Sequence, residues 1–105
     1  MTAQKQTILF LGRNTEGIMR DAQAAGLLFN PIVLTRRNDS LPVPEGVPAM
    51  AADEFVPESG TEYILIANGG TTQQSFPTFG KLLTAAIPVE VYDLQRDGIT
   101  KVWPL

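Results

Sequence analysis

The sequence predicts an α/β domain with a mostly parallel sheet, built in the order β-α-β-β-α-β-β and closed by a C-terminal antiparallel hairpin. Two continuous apolar runs, at residues 7–11 and 63–67, each lead through glycine into a stretch with helical spacing. Such runs are typical of strands buried on both faces, as in parallel sheets. Near the end, Asp97-Gly98 favours a hairpin, because the turn needs positive φ. The 105 residues make one domain, 1–105.

The first third of the chain is predicted to form one strand-helix-strand unit. Residues 15–25 place apolar side chains at helical spacing, and Gly26 stands where a C-terminal helix cap belongs. A second apolar run at 32–34 follows. Strand, helix and strand within about 30 residues have the size of a βαβ unit.

The stretch 38–60 is predicted to be an extended surface connection, because its prolines exclude a long helix. Within it, we expect a short edge strand at 47–50 and one helical turn at 51–55.

The second half begins with the clearest strand, 63–67, followed by a helical stretch that ends near Ala86. Pro77 lies inside this stretch, so the helix either kinks there or starts near Ser75 with Pro77 in its first turn. Right-handed crossovers place the strand 63–67 beside the strand 7–11. The last strand, at 99–103, is expected on an antiparallel edge.

Four aromatic residues in the second half of the chain are candidates for burial in the core. Phe76 and Phe79 are three residues apart on the second helix, and we expect both in the core. Tyr92 and Trp103 lie on the terminal hairpin, where the sequence leaves core filling and a dimer contact open.

Composition excludes several classes of function. Lys plus Arg number 8 and Asp plus Glu number 11, so the net charge is −3, with no histidine and no cysteine. This composition excludes disulfides, thiolate nucleophiles, zinc sites with N or S ligands and Ser-His relays. The acidic balance predicts no binding of duplex nucleic acid or of anionic membranes. No apolar run is long enough to span a membrane, and we expect a cytoplasmic location.

A candidate ligand site lies where two strand-to-helix loops are expected to meet. In open α/β sheets, ligands bind beyond the carboxyl ends of the strands, where the strand order reverses. Free amides at helix starts attract anions, and glycine lets a phosphate approach closely. The same residue types also serve as ordinary turn and cap residues. The candidate residues in the two loops are Gly12, Arg13, Asn14, Thr15, Asn68, Gly69, Gly70, Thr71 and Thr72.

Charged residues outside the two loops offer further candidates for binding or catalysis. Arg36 and Arg37 follow the second strand, where dinucleotide-binding sheets meet the adenosine ribose, and arginine there suits a 2′-phosphate. The alternative for this pair is two solvated charges. A solvated surface is also expected for the carboxylates Asp53, Glu54, Glu58, Glu62, Asp93 and Asp97. Ser75 could act as a nucleophile only if Lys81 approached it as a base.

The stretch 6–68 resembles the opening of an atypical short-chain dehydrogenase of the NAD(P)-binding Rossmann kind. The matching pieces are the strand ending at Gly12, the helix to Gly26, the run 32–37, the segment 46–53 and the strand 63–67. The resemblance implies a single Rossmann-like domain, and it implies that Arg36 or Arg37 selects NADP as the cofactor.

The last 40 or so residues resemble the CRISPR-associated Rossmann-fold domains that sense cyclic oligoadenylates. Gly69-Gly70-Thr71 looks like the Gly-Gly-Thr loop that these domains carry after a central strand, and the closing hairpin has a similar placement. This resemblance implies a cyclic-oligonucleotide sensor or ring nuclease.

The sequence therefore predicts a Rossmann-like protein that binds a nucleotide or another phosphate-bearing ligand. The rival hypothesis is a non-catalytic interaction module that forms a homodimer through its C-terminal hairpin, and whether the protein is an enzyme stays open.

Overall fold

A computed structural model describes residues 4–10, 15–35, 45–68, 72–95 and 98–104. Their regular elements are β1 Gln4–Phe10, α1 Thr15–Ala24, β2 Ile32–Thr35, β3 Ala49–Ala51, a 3-10 turn η1 Ala52–Glu54, β4 Thr61–Asn68, α2 Thr72–Thr84, β5 Val89–Gln95 and β6 Gly98–Trp103. The α/β class is confirmed. The predicted edge strand at 47–50 and helical turn at 51–55 correspond to β3 and η1, and β3 brings the strands to six.

All six strands form one sheet in the order β3-β2-β1-β4-β5-β6. The first five are parallel, and β6 runs antiparallel to β5. The predicted pairing of the 7–11 and 63–67 strands is confirmed, since Leu9 is in register with Ile66. The antiparallel edge position of the last strand is confirmed as well.

The face of the sheet under α1 buries one hydrophobic cluster. Ile18 and Ala22 of α1 pack with Leu9, Val33 and Ile66 from the three central strands. The helix ends as predicted. Gly26 has φ 72°, its amide donates to Gln23 O at 3.0 Å, and Leu27 N donates to Ala22 O at 3.0 Å. These two bonds form a Schellman motif, which satisfies carbonyls at the end of the helix.

The opposite face of the sheet lies under α2 and buries a second cluster. Leu82 of α2 packs with Ile8, Phe10 and Leu65, because alternate residues of each strand point to opposite faces. Phe55, just after η1, meets the ring of Tyr63 edge-on at 5.7 Å. Tyr63 also accepts a hydrogen bond from Glu58 N at 2.8 Å through its hydroxyl. These contacts hold the connection between β3 and β4 on this face.

Helix α2 corrects two expectations from the sequence. The helix starts at Thr72 and continues through Pro77, so a start near Ser75 is wrong. Phe79 is partly buried, but Phe76 is 57% exposed and lies outside the core. The two residues are neighbours on the helix surface, yet only Phe79 is turned far enough toward the sheet to be covered.

The two borders of the sheet differ from its centre. On one side, β3 is three residues long and follows Pro48. On the other side, the register between β5 and β6 shifts between Val91 and Tyr92 of β5. Val102 of β6 therefore has no register partner on β5. Neither α1 nor α2, the helices in the described part of the chain, has the length and hydropathy needed to cross a bilayer.

Candidate functional site

Two strand-to-helix connections start from neighbouring strands at the carboxyl edge of the sheet. β1 and β4 are parallel neighbours, so their last residues, Phe10 and Asn68, lie at the same edge. From there the chain leads to α1 on one face and to α2 on the other. The strand order runs outward in opposite directions from this pair, with β2 beside β1 and β5 beside β4. This is the arrangement that creates a crevice at the edge of an open α/β sheet.

Three of the predicted site residues flank the described ends of these connections. Thr15 is the first residue of α1, Asn68 is the last residue of β4, and Thr72 is the first residue of α2. The ends of β1 and β4, which precede the two predicted loops, therefore lie at one edge. The other predicted site residues lie outside the described residues, namely Gly12, Arg13, Asn14, Arg36, Arg37, Gly69, Gly70 and Thr71.

Small and polar residues lie behind this edge. Gly17 is buried in the first turn of α1. On α2, Ser75 and Thr78 are 2% and 1% exposed, and Thr78 Oγ1 has no hydrogen-bond partner within the described residues. Asp93 of β5 is in register with Ala67, close to the end of β4. Small and polar side chains thus follow the apolar core toward the carboxyl edge.

Asp93 is a residue whose environment the sequence interpretation missed. It was expected on a solvated turn, but it lies within β5 and is only partly exposed. The alternation of Val89, Val91 and Asp93 on one face was the signal, because these positions share the side of the sheet that α2 covers.

The described residues do not form the Ser75–Lys81 pair or a group of metal-binding carboxylates. Lys81 Nζ donates to Phe55 O at 3.2 Å and to Ala52 O at 3.5 Å, which directs it toward η1. Asp53, Glu54 and Glu58 are exposed, as expected of solvated carboxylates. Across the residues that can be described, no three His, Cys, Asp or Glu side chains are grouped to hold a metal ion.

A polar cluster of Glu90, Tyr92 and Lys101 lies on β5 and β6. The Tyr92 hydroxyl donates to Glu90 Oε2 at 2.6 Å, and Lys101 Nζ lies 3.4 Å from the same oxygen. The hydrogen bond to Glu90, together with burial and the carboxylate charge, raises the pKa of Tyr92 to about 12. The bond from Tyr92, and then Lys101, lower the pKa of Glu90 against the opposing effect of burial.

Two cavities lined by described residues lie away from the carboxyl edge. A cavity of about 440 Å³ opens at the amino ends of β4 and β5, between Lys5, Leu83 and Trp103. A second, of about 490 Å³, lies along α2 beside Val56 and Gly80. Trp103, on the hairpin, is 42% exposed and meets the ring of Phe79 at 5.6 Å.

Comparison with known proteins gives this chain no relative. No family model matches it, no curated protein does so, and no solved structure shares a significant match with it. The two resemblances drawn from the sequence stay predictions.

Proposed function

We propose that this protein is a Rossmann-like domain that binds a nucleotide or another phosphate-bearing ligand between the carboxyl ends of β1 and β4. The observation that carries the proposal is the strand order, which turns outward in opposite directions from these two neighbours. Ligands of open α/β sheets bind at this reversal point, because the loops on either side of it leave toward opposite faces.

Of the two helix starts, that of α2 is better suited to bind a phosphate than that of α1. The first turn of α2 contains no acidic residue, whereas Glu16 is the second residue of α1. An acidic side chain there satisfies the helix amides and repels an anion. The connection before α2 also contains Gly69 and Gly70, which would let a phosphate approach the backbone.

The end of β2 suggests which nucleotide is preferred. β2 lies beside β1 and ends at Thr35, directly before Arg36 and Arg37. In dinucleotide-binding sheets this position meets the adenosine ribose, where arginine accommodates a 2′-phosphate. We therefore expect NADP to bind more tightly than NAD.

Isothermal titration calorimetry with NADP, NAD, ATP and cyclic oligoadenylates tests the proposal. Binding of one of these ligands is expected, and replacing both Arg36 and Arg37 by Gln should weaken NADP without weakening NAD. The absence of heat with all four would overturn the proposal. Product analysis after incubation with the cyclic oligoadenylate separates a sensor from a ring nuclease.

A charge placed at the start of α2 locates the site. Thr72→Glu adds a carboxylate where the helix favours one, so the fold should be kept while phosphate binding weakens by about tenfold or more. Gln23→Glu is the matched control, because Gln23 is exposed near the far end of α1. Equal affinities in both variants would place the ligand elsewhere.

A further inference from the structure

The cavity at the amino ends of β4 and β5 has the size of a small-molecule site. Its volume of about 440 Å³ lies within the range of about 300–1,000 Å³ that is typical of ligand pockets. Leu83 and Trp103 form part of its apolar wall. They are 48% and 42% exposed, so two large apolar side chains are left in water where the cavity opens. Such a wall favours the apolar part of a ligand.

Four charged side chains also line this cavity, and their signs follow a fixed order across the neighbouring strands β1, β4, β5 and β6. Lys5 of β1 is in register with Glu62 of β4. Glu90 of β5 is in register with Ile64, two residues after Glu62, so the two carboxylates are diagonal neighbours on one face of the sheet. Lys101 of β6 lies 3.4 Å from Glu90 Oε2. Two negative groups are therefore flanked by a positive group on either side.

The two carboxylates of this cavity can accept further hydrogen bonds. Glu62 is partly buried, and its side chain has no hydrogen-bond or ion-pair partner in the part of the chain that the structure describes. Glu90 receives Tyr92 and Lys101 at Oε2, which leaves its Oε1 to another donor. A group bound between these carboxylates should be positively charged and carry several N–H donors, as an ammonium group does.

The lysines at the two sides of the cavity differ in what they already contact. The ammonium group of Lys5 lies over the ring of Phe29, 5.2 Å from its centre, and Phe29 does not line this cavity. The ammonium group of Lys101 is held beside Glu90 within the cavity lining, and it has three N–H donors. Lys101 is therefore better placed than Lys5 to pair with a carboxylate of a bound molecule.

We propose that this cavity binds a free α-amino acid with an apolar side chain. The ammonium group of the ligand lies between Glu62 and Glu90, and its carboxylate pairs with Lys101. Its side chain packs against Leu83 and Trp103. A zwitterion matches both signs of charge, whereas a simple cation would meet a lysine and a simple anion would meet a glutamate. The cavity lies at the amino ends of the strands, so this site is independent of the nucleotide site proposed at their carboxyl ends.

Fluorescence titration tests the proposal, because Trp103 is the single tryptophan of the chain and lines the cavity. L-leucine should change its emission with a Kd between about 10 μM and 1 mM. L-leucinamide lacks the carboxylate and isocaproate lacks the ammonium group, so each should bind about tenfold more weakly. If neither L-leucine nor L-phenylalanine gave a saturable change in fluorescence or heat, or if leucinamide bound as tightly as leucine, the proposal would be overturned.

Two charge-removing variants assign the ends of the ligand. Glu62→Gln should weaken leucine and leucinamide by about tenfold, since both carry the ammonium group. Lys101→Met should weaken leucine by a similar factor and leave leucinamide unchanged. Glu54→Gln is the matched control, because Glu54 is an exposed carboxylate on η1 that does not line the cavity.

Circular dichroism should show that all three variants are folded, and their affinity for NADP should equal that of the unaltered protein. Unchanged leucine affinity in Glu62→Gln, or equal losses for leucine and leucinamide in Lys101→Met, would contradict the proposed orientation and overturn this site without affecting the nucleotide proposal.

Discussion

Thr7 and Phe29 are joined by a reciprocal pair of hydrogen bonds. The Thr7 amide donates to Phe29 O at 2.8 Å, and the Thr7 hydroxyl accepts from Phe29 N at 2.9 Å. The same hydroxyl donates to Leu27 O. A fully buried strand residue thus fixes the turn that leads from α1 to β2.

Replacing Thr7 by Val should lower the free energy of unfolding by about 2 kcal/mol. The substitution keeps the shape but removes both side-chain hydrogen bonds, leaving the amide of Phe29 and the carbonyl of Leu27 without them. Chemical denaturation measures the change. Thr7→Ser keeps the hydroxyl and should cost about 1 kcal/mol for the lost methyl group. Equal losses in the two variants would show that the hydroxyl contributes nothing.

Thr78→Val should change the free energy of unfolding in the direction opposite to Thr7→Val. Within the described residues the Thr78 hydroxyl is buried with no hydrogen-bond partner. Replacing it by a methyl group should therefore raise the free energy of unfolding by about 1 kcal/mol. Thr84→Val, at an exposed position of the same helix, is the control and should change stability little. A destabilised Thr78→Val variant would mean that the hydroxyl is bonded.

Ala86→Gly should also stabilise the protein. Ala86 follows α2 at φ 56°, and its amide donates to Leu83 O at 3.1 Å. Left-handed backbone costs a residue with a Cβ roughly 1–2 kcal/mol, and the greater freedom of glycine when unfolded offsets part of this. We expect a net gain of about 0.5–1 kcal/mol in thermal unfolding.

The control for Ala86 is its neighbour Ala85. Ala85 donates its amide to Lys81 O at 3.1 Å and has no positive φ. Ala85→Gly should therefore destabilise the protein by about 0.5–1 kcal/mol. If both glycine variants lost stability, the left-handed position would not be strained.

The pair of Glu90 and Tyr92 predicts how stability depends on pH. Because folding raises the pKa of Tyr92 from 10.0 to about 12, its contribution is complete below pH 10.0 and is lost as pH rises toward 12. Folding lowers the pKa of Glu90 below 4.5, so its contribution is present above pH 4.5 and is lost as pH falls further. Stability measured against pH should decline in both windows.

Glu90→Ala should weaken both declines and bring the pKa of Tyr92 down toward 10.0, since it removes the acceptor and the negative charge. Ultraviolet titration of the tyrosines, with Tyr92→Phe to assign the signal, follows this change. Glu62→Ala removes a carboxylate from neighbouring β4 and should leave the Tyr92 titration in place. An unchanged Tyr92 titration in Glu90→Ala would contradict the assigned hydrogen bond.

The sequence predicted the sheet better than the helix surfaces. The runs 7–11 and 63–67 predicted β1 and β4, because continuous apolar residues have to be buried on both faces. Phe76 could not be assigned correctly, since spacing shows which residues share a helix face but not which side faces the sheet. Asp93 was expected on a solvated surface because it lies close to the turn that Asp97-Gly98 indicates.

Two features of the structure could not be predicted from local sequence patterns. The bonds of Thr7 join residues 20 and 22 positions away, and local patterns do not report such distances. The position after α1 is occupied by Gly26, which indicates a left-handed backbone. The corresponding position after α2 is also left-handed, but it is occupied by Ala86. The two loops of the candidate site were predicted to meet from topology alone, and the adjacent ends of β1 and β4 agree with that prediction.

The borders of the sheet have a consequence for behaviour in concentrated solution. Among the described residues, the three-residue β3 at one border and the unpaired Val102 at the other leave no long, straight edge of backbone on which a fibril could grow. Native molecules should therefore resist seeding into amyloid.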